Sequence, residues 1–197
     1  MSRLIERNPV LEIELHHSNS RSIVKGVMSG ELDAGIALGD ADHPGVTVMP
    51  LCKLTYRIVA PVGWAERLKG GQWEVLASLP WISTPKDGSH FKMAESLFSR
   101  HRFAPQKVIE ADSDASITSL VLAGVGMGLM REDLAAQAHR NGTVLMLERG
   151  RATTSLRFLY LSSRENDATI GALRSVLEEL WLRPGAAVKP RIGETSC

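Results

Sequence analysis

Cysteine is nearly missing: the 197-residue chain has two, Cys52 and Cys197, far apart and the second at the last position. This excludes a disulfide framework and a CxxC-type zinc site, and it suits a reducing compartment, the cytoplasm. Long apolar runs are missing too, so no segment reads as a membrane span. The opening "MSRLIERNPV" carries Arg3, Glu6 and Arg7 where a secretory signal has its apolar stretch. Nor is there an excess of either charge. Lys and Arg number 23 against 22 Asp and Glu, a formal net charge of +1. Such a balance provides no field to hold a polyanion, so nucleic-acid contact is not expected from this chain itself.

Catalytic and metal-binding patterns are equally scarce. His16 and His17 are adjacent; on a strand they point to opposite faces, whereas two ligands on one helix face need i, i+4 spacing. His43, His90, His101 and His139 have no cysteine partners in the sequence. No GxSxG elbow is present, and Cys52 beside a strand-like run reads as packing. Glu12 and Glu14 share one strand face and read as solvated. No nucleophile, base and oxyanion site assemble, so neither an enzyme nor a cofactor or metal is expected.

What is present is alternation of strand and helix patterns. "VLEIELHH" sets Leu11, Ile13 and Leu15 against Glu12, Glu14 and His16, the period of a half-buried strand. Ser18, Asn19 or Ser20 can then cap a helix whose apolar stripe is Ile23, Val24, Val27 and Met28, with Gly30 as its stop. "LDAGIALGD" alternates again, which completes strand, helix, strand. "VTVMPL", "LTYRIVAPVGW", "LPWIS", "QKVIEAD", "TVLMLE" and "SLRFLYLSS" read as further strands. "SHFKMAESLFSRHRF", "SDASITSLVLAG", "MREDLAAQAHRNG" and "NDATIGALRSVLEELW" read as helices, and "LRPGAAVKPRIGETSC" as a disordered tail. The pattern predicts an α/β class with mainly parallel sheets. Two strand runs, at 54–61 and 155–161, are candidates to carry the chain between two lobes.

"SLVLAGVGMGLM" places Gly124, Gly126 and Gly128 at alternate positions. A phosphate-cradling loop needs its glycines after a strand and before a helix; here the helix comes first. Gly124 instead follows the stripe Ile117, Leu120 and Val121, where a helix end calls for a left-handed residue. Gly126 and Gly128 then open a strand where another backbone or helix must come close. These glycines are read as a turn.

That turn resembles the segment ending a helix and opening a strand in effector-binding domains of LysR-type transcriptional regulators. "IERNPVLEIELHHSNSRSIVKGVMSGELDAGIAL" and "PLCKLTYRIVAPVGW" resemble the same domains in the same order. "GELDAGIAL" and "VLAGVGMGLM" are the more specific parts. The resemblance implies a two-lobed fold of the type 2 periplasmic-binding-protein kind, with a ligand cleft between lobes. Lobe I would be 1–53 plus 155–183, lobe II 54–154, and 184–197 the tail. It implies a domain that senses a small molecule by a population shift and signals to an N-terminal DNA-binding domain. That DNA-binding region, and the family's first strand, are not in this sequence. Absence of that strand would leave unpaired edge groups; the tail "KPRIGETSC" faintly resembles it and is one candidate to fill the slot. A solute-binding protein of a transporter, with the same fold, is the alternative.

A ligand in such a fold is held at helix N-termini, whose free amides suit an anion, and an organic anion is the expected effector. Three loops qualify: Ser18, Asn19 and Ser20; Ser83, Thr84 and Pro85, with Gly88 and Ser89 opening the next helix; and Ser113 with Ser116. Each residue taken alone also reads as a simple helix cap. Lys86 and His90 could add charge. The resemblance also implies a two-fold homodimer through Leu4, Ile5, Leu11, Ile13, Ile117, Leu120 and Val121; the plainer alternative packs these residues inside their own lobe.

Overall fold

The computed structural model describes residues 2–86 and 88–181. The stretch read as a tail, with Cys197 and the "KPRIGETSC" segment, lies outside the described residues. In chain order the elements are α1 (Ser2–Arg7), α2 (Ser20–Ser29), β1 (Ala34–Leu38), β2 (Val46–Pro61), α3 (Trp73–Ser78), β3 (Pro80–Ser83) and α4 (Ser89–Ser99). They continue with β4 (Gln106–Glu110), α5 (Asp114–Leu122), β5 (Gly128–Arg131), α6 (Glu132–Arg140), β6 (Val144–Leu161) and α7 (Ala168–Trp181). The chain forms two compact units. Unit 1 takes its residues from Met1–Cys52 and Ser155–Cys197, and unit 2 is Lys53–Thr154.

In unit 1, α2 begins where the Asn19 side chain accepts the Ser22 N–H at 2.9 Å, and it stops at Gly30 in the left-handed region, φ +76°. Its stripe meets the strands: Val27, Ala37, Ala41 and Leu159 form the core, with Ile23, Val24 and Leu32 packed against it. Each fully buried aliphatic side chain of this kind contributes roughly 1.5–3 kcal/mol. Gly35 allows the approach, because a Cβ there would stand 2.3 Å from Ile23 Cγ2. α1 is tied to α7 by Arg3 and Arg7, which reach the two oxygens of Glu179 at 2.7 and 2.9 Å.

In unit 2, β3 and β4 pair in parallel across the α4 connection, and β5 pairs antiparallel with β2. Val59, Ile82, Ile117, Val121, Met130, Ala135 and Val144 make the core. Gly124 has φ +81° just past the end of α5. Met127 then bonds β3 on both sides, donating to Pro80 O and accepting from Ile82 N–H, each at 2.8 Å. A Cβ on Gly126 would lie 2.9 Å from Pro80 O, and one on Gly128 2.8 Å from Ile117 Cγ2. The three glycines therefore do what the sequence asked of them: one turns, two let neighbours close.

Four features differ from the sequence reading. The main sheet, in order β1-β6-β2-β5, is not mainly parallel: its β1–β6 and β2–β5 pairs are antiparallel. Successive strands do not pair there; β6 returns along the chain and meets β1 head to tail, which allows only an antiparallel ladder. Residues 11–16 form no strand among the described residues, although Leu11 and Ile13 are half-buried. Alternation makes one face apolar, but a strand also needs a neighbour to bond, which alternation alone does not provide. "VTVMPL" with "LTYRIVAP", and "TVLMLE" with "SLRFLYL", are single strands of 16 and 18 residues. Finally, α3 has no counterpart in the sequence reading.

Candidate functional site

Unit 2 brings two helix starts together. Because β3 and β4 are parallel, their carboxyl ends lie on one edge, and the helices that follow, α4 and α5, both begin there. The edge is closed by Ala111, whose N–H donates to Ser83 O at 2.9 Å. In open α/β sheets this is the edge at which ligands collect.

Thr84 follows β3 directly and is 8% exposed, and among the described residues its Oγ1 has no hydrogen-bond partner. Oγ1 points at Gly88, standing 3.6 Å from where a Cβ on that residue would be. Gly88 is the N-cap of α4 and provides no side-chain cap, and the first turn of α4 holds no acidic residue. A buried hydroxyl without a partner costs about 1–3 kcal/mol. Here it stands beside the start of a helix, the end that carries partial positive charge. Ser83 is spoken for, since its Oγ donates to Thr84 O at 3.1 Å. Pro85 accepts the Gly88 N–H at 2.8 Å, which shapes the turn. Lys86 is exposed.

At α5 the local bonds are made. Ser113 Oγ accepts the Ser116 N–H at 3.1 Å and lies 2.8 Å from Ser116 Oγ. Both serines act as caps. His90, which the sequence offered only as an added charge, joins the two helices: in the first turn of α4, it sets Nε2 3.0 Å from Oδ1 of Asp114, in the first turn of α5. The contact is off the ring N–H direction, so it is an electrostatic contact and not an aligned hydrogen bond, and Nε2 stays buried without one. The imidazole also meets Tyr56 edge-on, ring centroids 4.7 Å apart at 89°. Tyr56 is held protonated by its burial and, second, by the Asp114 charge, which push its phenol well above the usual range. Arg131 forms a bidentate pair with Asp133, at 2.6 and 2.7 Å. Their bond lowers the Asp133 carboxyl and raises the guanidinium.

The remaining sequence candidates lie in unit 1. Ser18 is exposed, Asn19 caps α2, and Ser20 Oγ accepts the Leu38 N–H at 3.0 Å. Unit 1 has an open surface pocket of about 450 Å³ lined by Asp42, His43, Pro44, Val46 and Val48, none of them a sequence candidate. Three residues expected at a dimer contact are interior: Leu4, Ile117 and Val121 are 1%, 2% and 0% exposed, which leaves no side-chain surface for a partner. They fill the core of their own unit. Among the described residues no group of three or more His, Cys, Asp or Glu is placed to hold a metal ion, and no helix is long and apolar enough to cross a membrane.

The chain matches the family model of the LysR substrate binding domain over residues 1–181. Among solved structures it is similar to the regulatory domain of CcmR from Synechocystis PCC6803 in complex with 2-PG, with TM-score 0.74 and 15% identity, covering 91% of this chain and 88% of that one. It is similar to the apo regulatory domain of HypT from Salmonella typhimurium, with TM-score 0.71, 12% identity and coverage of 91% and 87%. The effector domain of AmpR from Pseudomonas aeruginosa gives 0.68, 15%, and 91% and 85%. No curated protein sequence matches. At such identities the structures speak for the fold, α/β of the type 2 periplasmic-binding-protein kind, while the family model covers nearly the whole chain. This protein belongs to the LysR substrate-binding domain family, the effector-binding domains of LysR-type transcriptional regulators.

Proposed function

We propose that the effector of this domain is a small organic molecule held by an anionic group at the start of α4, against Thr84 Oγ1 and the first-turn amides. The observation that carries the reading is the buried, unpartnered Thr84 hydroxyl aimed at a helix start without a side-chain cap. A charged group bound there gains the hydroxyl hydrogen bond, worth about 1.5–3 kcal/mol, and the partial positive charge of the helix end. Ser83, Pro85, Ser113 and Ser116 shape the surrounding turns. Asn19 and Ser20 serve the start of α2, and Ser18 is left without an assigned role. Binding acts by favouring one of the domain's conformations, which a DNA-binding domain joined to it reads out in the cytoplasm. A transporter's solute-binding protein has no observation in its favour.

The test is Thr84→Val. Valine removes the unsatisfied hydroxyl without losing a hydrogen bond, so the melting temperature should not fall and should rise by about 2–4 °C for each kcal/mol relieved in a domain of this size. Affinity for simple carboxylates, read by ¹⁵N-HSQC titration at the Gly88 and Ser89 amides, falls at least tenfold. Equal affinity in parent and variant would remove Thr84 from the site.

A further inference from the structure

α4, α5 and α6 all end in the same kind of turn, and α4 fills it differently. After α5 and α6 the chain passes through Gly124 and Gly142, at φ +81° and +70°. In each, the next N–H reaches back five residues, Val125 to Leu120 O and Thr143 to Ala138 O, both at 3.0 Å. After α4 the same bonds are made, Phe103 N–H to Phe98 O at 3.1 Å and Arg102 N–H to Ser99 O at 2.9 Å. There the left-handed position, at φ +64°, is held by Arg102, the one non-glycine residue with positive φ among those described. Glycine takes this conformation freely, whereas a Cβ makes it strained.

Capping does not account for the arginine. The carbonyls of Ser96, Phe98 and Ser99 already accept backbone N–H groups, and Arg100, the C-cap residue, by itself brings a cation to the negative end of the helix. Arg100 and Arg102 are both exposed, and among the described residues neither has an ion pair or a side-chain hydrogen bond. His101, between them, stacks on Trp73 with ring centroids 4.1 Å apart at 13°, and Trp73 meets the fully buried Phe98 edge-on. The turn is thereby fixed to the core, so its side chains meet a partner with little backbone ordering left to do. A strained residue kept in an exposed, rigid turn points to what its side chain contacts.

We propose that Arg100 and Arg102 form a docking surface for an acidic segment of a partner protein. Two guanidinium forks two residues apart on an exposed turn fit carboxylates carried along one chain, each in a bidentate pair. A duplex is the poorer occupant, because its binding draws on many phosphate contacts, and this turn adds only two arginines to a chain of net charge +1. The surface lies at the opposite end of α4 from Thr84 and does not depend on the effector reading.

The experiment titrates the full chain with hexaglutamate at physiological salt and follows the amides by ¹⁵N-HSQC; inorganic phosphate and a short DNA duplex are titrated in parallel. Hexaglutamate should move the amides of residues 100–103. Arg102→Gly should weaken that binding by roughly fivefold or more, yet raise the melting temperature by about 2–4 °C as the strain is relieved. Arg100→Gln should weaken it similarly without the rise. If these amides do not respond, or if Arg102→Gly binds as tightly as the parent or melts lower, the arginine is structural and the proposal is overturned. Phosphate that matches hexaglutamate would mean an adventitious ion only, and a duplex that binds more tightly would make the partner a nucleic acid; either result also overturns it.

Discussion

At the residue scale, burial decides which polar groups keep their usual chemistry. The chain has two tyrosines, Tyr56 and Tyr160, each 2% exposed. Burial raises both phenols, with Asp114 adding to it at Tyr56 and the Glu165 hydrogen bond at Tyr160. A phenol pushed up in the folded state stabilises the fold fully below the ordinary tyrosine range, near 10, and that contribution is lost as pH rises beyond it. An alkaline titration followed at the phenolate absorbance should show no tyrosine ionising near pH 10. Both phenolates should emerge together with loss of the far-ultraviolet circular dichroism signal. An ordinary titration of Tyr56 in the folded chain would contradict the burial on which the His90 surroundings depend.

At the scale of elements, the glycine turn after α5 separates two costs that sequence alone runs together. Gly124→Ala has open space around its Cβ but must hold φ +81°, a strain of about 1 kcal/mol. Gly126→Ala has no such strain but would press its Cβ to 2.9 Å from the backbone oxygen of Pro80, where nothing flexible can yield. Overpacking of that kind costs about 2–3 kcal/mol. Urea unfolding should therefore rank Gly126→Ala as the more destabilising; the reverse order would mean that β3 does not press on the turn. The helices α2, α4, α5, α6 and α7 were legible because each shows an apolar stripe with a cap or stop at its ends, all local features. Strand pairing was not legible, since β1 meets β6 more than a hundred residues away and the period of two in 11–16 carries no information about a neighbour. The same distinction holds at the site. Thr84 and Ser113 stood out as cap residues, but His90 and Asp114 sit in the first turns of separate helices, 24 positions apart, and meet only because β3 and β4 run parallel.

At the scale of the whole molecule, a net charge of +1 provides no long-range field that gathers a polyanion. Homodimerisation is the proposal here, and burial revises which side chains would carry it. With Leu4, Ile117 and Val121 interior, the exposed apolar side chains on these elements are Ile5, 51% exposed on α1 of unit 1, and Leu122, 52% exposed on α5 of unit 2, while Leu11, Ile13 and Leu120 are half-buried. In a two-fold contact each substitution acts twice, so one charge placed at either position should be enough to separate the copies. Since both side chains are more than half exposed, Ile5→Asp and Leu122→Asp should leave the melting temperature nearly unchanged while sedimentation velocity at tens of micromolar shifts from twice 21.5 kDa to the monomer mass. A parent chain that already sediments as a monomer would rule out this surface as a self-sufficient interface. A dimer that survives both substitutions would move the contact to another face, and the exposed apolar side chains of α1 and α5 would then need a different partner.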